Sequence, residues 1–307
     1  MNRIRPSIHA LEIFNPVVNY EEFFLKNYLS YIPSIPFYKG VELGVFMNAS
    51  VRKEVRKMVE ENNYQLTTWL SPTLIGEGLN LSSLDSDLRK KSVSRAKELI
   101  ALAAETGTTH CGVPCGPDNK EHREDAKKAL EDSWAQMLEE MAKYNGVDMT
   151  FEALDRDSSK FMLVGPITEA IEIIGRLNKK TGKIFSHWDS AHELLNGFDL
   201  FESIEVAKPY LAQIHLTDAI TDRSHPYFGD LHMDMGHGPE WKAQGVMTPS
   251  LSAKLLKKVL TFDKCDGVKD VYCAVEMRSA LGEDLWEKER IAREYLQEVF
   301  KLAGIEV

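Results

Sequence analysis

Met149-Thr150-Phe151-Glu152-Ala153-Leu154 and Ile184-Phe185-Ser186-His187-Trp188-Asp189 are two short, mostly apolar runs, each with a carboxylate toward its far end. Between them, residues 168–180 carry apolar side chains at helical spacing, and Gly182 follows where a left-handed C-cap residue is wanted. Strand, helix, strand in this order is the βαβ unit of a parallel sheet. Working outward, the unit recurs almost from end to end. Strand-like runs fall at 7–13, 40–46, 64–70, 108–114, 147–154, 183–189, 210–216 and 270–277. Helical patterns such as 51–61, 87–106, 123–144 and 285–302 lie between them, with Gly107 and Gly146 again placed as C-caps. Eight strands, each followed by a helix, predict an α/β fold, a single (β/α)8 TIM barrel over 1–307. The rival, an open doubly wound sheet, wants a glycine-rich phosphate turn after its first strand. Glu12-Ile13-Phe14-Asn15-Pro16 is not one.

Composition narrows the function. The chain has 307 residues with 43% hydrophobic content, enough for a large core without disulfide or metal staples. Its 47 acidic against 37 basic side chains give a formal charge of −10, which argues against a nucleic-acid partner needing a basic face. The longest apolar stretch runs from Leu99 to Ala104, too short for a membrane span, and no secretory signal follows Met1. The 4 cysteines do not suggest a disulfide framework. A cytoplasmic setting is the expectation.

In a barrel, chemistry belongs at the carboxyl ends of the strands. Strands 5 to 8 end in Glu152, Asp189, His215 and Glu276. A charge at the end of a buried strand is costly unless it is paired or binds an ion, and four on consecutive strands converge on one point. Three carboxylates and an imidazole suit one divalent metal, with Mn²⁺ the first expectation and Mg²⁺ or Co²⁺ as alternatives, better than structural zinc.

These residues, in this order, resemble those of the xylose-isomerase-like barrels, the sugar (phosphate) isomerase/epimerase group. Phe151-Glu152-Ala153-Leu154-Asp155-Arg156 is similar to the Leu-Glu-x-x-Asn-Arg stretch of the ketose 3-epimerases, and Asp189-Ser190-Ala191-His192 to their Asp-x-x-His. Gly236-His237-Gly238 resembles their Gly-x-Gly turn, and Gly40-Val41-Glu42-Leu43 their second strand. The resemblance covers essentially the whole chain. It implies that Glu152, Asp189, His215 and Glu276 hold the metal, and that Glu152 and Glu276 are the catalytic acid and base. Substrate contacts are expected from His192, Trp69, His237 and Arg223, the last displaced by about two positions from the epimerases' arginine. Two departures bear on the substrate: Asp155 replaces the family asparagine, and Thr217-Asp218 replaces a frequent Ser-Glu.

The expected reaction is proton abstraction beside the carbonyl of a keto sugar, giving an enediolate, of the isomerase or 3-epimerase type. The same family includes lyases that begin with this enolisation. Among them are keto-inositol dehydratases and the large subunits of C-glycoside deglycosidases, which cleave 3-keto C-glycosides with a small β-rich partner. A non-catalytic sugar-binding barrel does not need both glutamates, and the related apurinic endonucleases use more histidines and several metals. His187, two residues before Asp189, reads as a buried partner of a ligand. His9, Glu42 and His110 read as polar rim residues, and Lys160 as a solvated loop lysine, with phosphate binding as its alternative. From His215 to Glu276 the chain runs 61 residues. The excess at 217–249, with His225, Tyr227, His232, His237 and Trp241, reads as a lid or as a face against another subunit. The substrate is expected to be a small carbohydrate and the protein a homo-oligomer, with a small partner subunit if it follows the deglycosidases.

Overall fold

Eight parallel strands close on themselves in chain order. They are β1 Ile4–His9, β2 Gly40–Gly44, β3 Gln65–Trp69, β4 His110–Val113, β5 Asp148–Glu152, β6 Ile184–Asp189, β7 Leu211–Leu216 and β8 Val271–Val275. The computed structural model describes residues 3–181, 183–236 and 245–307. Outside the strands lie α1 Ala10–Ile13, α2 Glu21–Asn27, α3 Ala49–Asn62, α4 Ser71–Gly76, α5 Ser86–Glu105, α6 Arg123–Met141 and α7 Ile167–Asn178. They continue as α8 Ser190–Leu195, α9 Leu200–Ala207, α10 Pro249–Leu260 and α11 Leu285–Ala303. This is a (β/α)8 barrel, as the strand and helix count predicted. Among the described residues no helix is long and apolar enough to cross a membrane.

Local chemistry fixes the element ends. The side chains of Asp85, Asp199 and Asp284 each accept two backbone N–H groups at the starts of α5, α9 and α11, satisfying donors the helix leaves open. Gly107 and Gly146 adopt the left-handed conformation, with φ of 81° and 78°; Gly182 lies outside the described residues. The helices turn apolar stripes inward, such as Val93, Ala96, Leu99, Ile100 and Ala103 of α5, against the outward-facing strand residues.

One boundary differs from expectation. The first strand was placed at 7–13 but ends at His9, and the apolar residues Ala10, Leu11 and Ile13 form a buried helical turn instead. The strand begins earlier because its first residues pair with β8, Ile4 opposite Val271, with the Arg3 carbonyl accepting from Val271 N at 2.9 Å. The effect is to place His9 at the strand's carboxyl end.

Register sets the level of the site. Asp189 is in register with His215, and Glu152 with His187 two residues earlier on β6, so these side chains share the inner face near the carboxyl ends of β5, β6 and β7. The long segment after β7 is gathered by Asp218, whose carboxylate accepts from Gly236 N and Val246 N at 3.0 Å each. The Thr217-Asp218 departure thus has a structural task, closing the ends of that segment onto the barrel.

Candidate active site and metal centre

Asp189 ends β6 and also caps α8. Its Oδ1 accepts from Ala191 N (2.7 Å) and His192 N (3.1 Å), while Thr217 Oγ1 donates to Oδ2. The carboxylate is therefore held in one orientation. Glu152 ends β5, His215 lies in β7 and Glu276 follows β8. One ligand atom from each of these four lies within 4.8 Å of the others, and Asp189, His215 and Glu276 are buried.

The electrostatics of this cluster fit a cation. Burial, together with the negative charges of Glu276 and Asp189, pushes Glu152 up to about 8, and burial raises Asp189 as well. Glu152 Oε1 is buried with no hydrogen-bond partner among the described residues. Crowded carboxylates with an unsatisfied oxygen are what a divalent ion would neutralise and coordinate. Glu276 goes the other way. Against the effect of burial, His232 and His215 hold it well below the usual carboxylate range; His215 Nδ1 stands 2.9 Å from its Oε2, and His232 Nδ1 2.8 Å from Oε1.

A second ring of side chains fixes the first. Glu42 lies 2.9 Å from His215 Nε2 and accepts from Trp69 Nε1 at 3.1 Å. His187 is fully buried, its ring centroid 4.0 Å from that of His215 and its Nδ1 3.8 Å from Glu152 Oε2. This places it below Asp189 in the barrel interior, against His215 and Glu152. His9 reaches Glu276 Oε1 at 3.6 Å and lines the cleft. His110 does not share this place. It opens β4 rather than ending it, so it sits at the far end of the barrel against Gln65 (2.8 Å).

Trp69 lies flat over Gly112, where an added Cβ would run into its ring. Gly112→Ala is expected to displace Trp69, break its bond to Glu42 and destabilise the fold by about 1–3 kcal/mol. Urea denaturation followed by tryptophan fluorescence measures this; an unchanged midpoint and spectrum would mean the ring is not seated there.

The structure accounts for Asp155. Its Oδ1 accepts from Ser159 N and from Lys160 N (2.9 Å), and its Oδ2 stands 3.2 Å from His192 Nδ1. Burial would lower the His192 imidazole, but the bond to Asp155 and the charges of Asp189, Asp230 and Glu152 push it up to about 10. An asparagine could not supply that charge. The same carboxylate folds the loop that carries Lys160. Lys160 is not a solvated loop lysine: its ammonium lies 3.0 Å from Asp230 Oδ2 and 3.2 Å from His232 Nε2, on the cleft wall. The side chain is 27% exposed, enough to meet a ligand.

Asp230, His232, Glu12 and Arg278 were not singled out in the sequence as site residues, and the structure brings all four here. Arg278 Nη2 donates to Glu12 Oε1 at 2.9 Å at the cleft mouth. His232 (φ 50°) and Phe161 (φ 54°), next to Lys160, are non-glycine residues in the left-handed region, which costs about 1–2 kcal/mol each. The strain falls on both sides of the Lys160–His232 contact. Arg223 is a correction of the opposite kind. It reaches Ser158 Oγ at 3.3 Å and lies over the Phe228 ring at the surface, away from the cleft-lining residues. His237 and Trp241 fall outside the described residues.

The cleft over the cluster has a volume of about 490 Å³. His9, Trp69, Glu152, His192, Lys160 and Glu276 present polar groups to it, whereas Leu11, Val18, Pro72, Ile75, Leu154 and Met162 give it an apolar side.

Comparison with known proteins agrees with the barrel fold. A D-psicose 3-epimerase solved in the presence of D-fructose superposes with a TM-score of 0.67 at 14% identity, covering 98% of this chain and 99% of that one. An L-ribulose 3-epimerase gives 0.68 at 15% identity over 99% and 96%. The apo form of a 3-keto-D-glucoside 4-epimerase from E. coli gives 0.60 at 13% over 98% and 100%. These likenesses show a shared fold. No curated protein matches the sequence. A family model, described as the xylose isomerase-like TIM barrel, matches residues 38–246, more than half of the chain. With eight strands closed in order and metal-type side chains gathered at their carboxyl ends, the protein belongs to the xylose isomerase-like TIM barrel family.

Proposed function

We propose that the protein is a divalent-metal-dependent enzyme that moves a proton beside the carbonyl of a keto sugar, as an isomerase or 3-epimerase. The observation that carries this is the pair Glu152 and Glu276, two carboxylates from different strand ends that meet, with Asp189 and His215, at one point above the barrel. Such a pair is suited to acid and base work on one carbon. Glu152, Asp189, His215 and Glu276 would hold the ion, with Mn²⁺ the first candidate. When bound, it supplies positive charge to the carbonyl oxygen and its neighbouring hydroxyl.

The chain's own groups do the remainder. Glu276, whose Oε1 faces His232 Nδ1 at 2.8 Å, accepts the proton from the carbon next to the carbonyl, and Glu152 returns one. His192, charged and fixed by Asp155, donates to a substrate oxygen. Lys160, held by Asp230, offers a second donor on the same wall. Trp69 and the apolar side exclude water from the reacting carbon. Lys160 and Arg278 at the cleft each already face a carboxylate, which suits an uncharged carbohydrate better than a nucleic-acid backbone.

A second reading, elimination from a keto glycoside, is supported by the apolar side, which would seat an aglycone. One experiment separates the two. Mn²⁺-loaded protein is incubated in D₂O with ketohexoses and 3-keto glycosides and followed by NMR. Deuterium entering beside the carbonyl, with a new epimer or aldose and no fragment released, is the expected result. Release of an aglycone or of water would make the protein a lyase. No exchange with any of these substrates, with metal bound, would reject both.

A further inference from the structure

The space inside a (β/α)8 barrel is ordinarily filled by branched apolar side chains. Here the inward positions are polar. Residues two apart on a strand share a face, so Ser7 lies below His9, Thr150 below Glu152, His187 below Asp189 and Gln213 below His215. Contacts across the barrel agree with this placement: Thr67 Oγ1 on β3 donates to Gln213 Oε1 on β7 at 3.1 Å, and the Trp69 and His187 rings lie 5.2 Å apart.

Much of this polarity has no protein partner. Ser7 Oγ, Glu42 Oε1, Gln65 Oε1, Thr150 Oγ1, Gln213 Nε2 and both ring nitrogens of His187 are buried with no hydrogen bond among the described residues. All six residues are at least nine-tenths buried. An isolated orphan of this kind is costly, and native proteins keep few of them. Their clustering inside one barrel needs a common explanation. Donors and acceptors are mixed, which matches a molecule that both donates and accepts.

We propose that the barrel interior beneath the metal-type cluster is a built solvent site, a group of ordered waters held by Ser7, Glu42, Gln65, Thr150, His187 and Gln213. At about three hydrogen bonds per buried water, these atoms serve roughly two to four waters once bonds between waters are counted. The group brings solvent to the underside of Glu152 and His215, on the side away from the cleft. Its lower end approaches Phe185, which lies 6.2 Å from the His110 ring and also lines a separate cavity of about 440 Å³ at the opposite face of the barrel.

Two measurements on the full chain test this, and neither depends on the substrate or the reaction. The first is a crystal structure at about 1.2 Å, in which waters within hydrogen-bond distance of Thr150 Oγ1, Gln213 Nε2 and a His187 ring nitrogen are expected. The second is Thr150→Val, which removes one hydroxyl at nearly constant volume. If waters use that hydroxyl, the variant melts about 1–3 °C lower. If the interior is dry, Val removes an unpaired polar group and the variant melts higher. A dry interior in the crystal, or a raised melting temperature, overturns the proposal.

Discussion

Glu276→Gln is expected to slow exchange of the carbon-bound substrate proton with solvent by about 10³-fold, within the range for loss of a positioned general base. The amide cannot accept a proton at neutral pH. It also disturbs its neighbours, because the carboxylate faces His215 Nδ1 at 2.9 Å and His232 Nδ1 at 2.8 Å. An amide NH₂ turned toward either imidazole presents donor to donor, so one ring must move or lose its proton. Metal affinity should fall as well, since one of four ligand side chains is neutralised. Exchange is read by NMR in D₂O and metal binding by titration calorimetry. Exchange within tenfold of the unaltered protein, with metal bound, would remove Glu276 as the base and leave Glu152 as the candidate.

The second large effect is on stability. Glu193, on α8, is 1% exposed, and burial pushes its carboxyl up to about 8. The Ser203 hydroxyl beside it already accepts from Trp188 Nε1 (2.9 Å) and donates to Leu200 O (3.3 Å), so it can do little to hold the charge. The folded protein thus keeps this proton to about pH 8, while the unfolded chain gives it up near the ordinary glutamate value. Stability from this group is fully present below the unfolded value and is lost as pH rises toward the folded one. Glu193→Gln removes that loss. Relative to the unaltered protein, the variant should gain up to about 1.4 kcal/mol for each pH unit between pH 5 and 7. Urea denaturation at the two pH values measures the difference, and a constant gap between the two proteins would show that Glu193 ionises normally in the fold.

The barrel and the metal-type cluster were legible in the sequence because each rests on a local pattern. A run of β-branched residues followed by a helical period announces itself within one βαβ unit. Glu152, Asp189, His215 and Glu276 each close such a run, where a charge is conspicuous. The same logic misplaced His110, since the pattern gives a strand's existence more firmly than its ends, and a shift of a few residues moved that ring to the far end of the barrel. Arg223 was expected from a spacing that was already displaced, and the loop turned it to the surface.

Asp155 shows where the two sources meet. The sequence marked it as a departure; only the fold shows it joining His192 to the loop of Lys160. Lys160, Asp230, His232, Glu12 and Arg278 carry no local signature at all. Lys160 finds Asp230, and Glu12 finds Arg278, across long stretches of chain, and closing the barrel is what makes them neighbours. The sequence by itself determined the architecture and the positions of the four metal-type side chains, because periodicity and the expense of a charge at a strand end are properties of short segments. The tertiary structure alone decided what surrounds the ligands: which cations are paired, which imidazoles keep a proton and which polar groups face the barrel interior. Burial and electrostatic partnership depend on distance in space, and a linear chain does not contain those distances until it has folded.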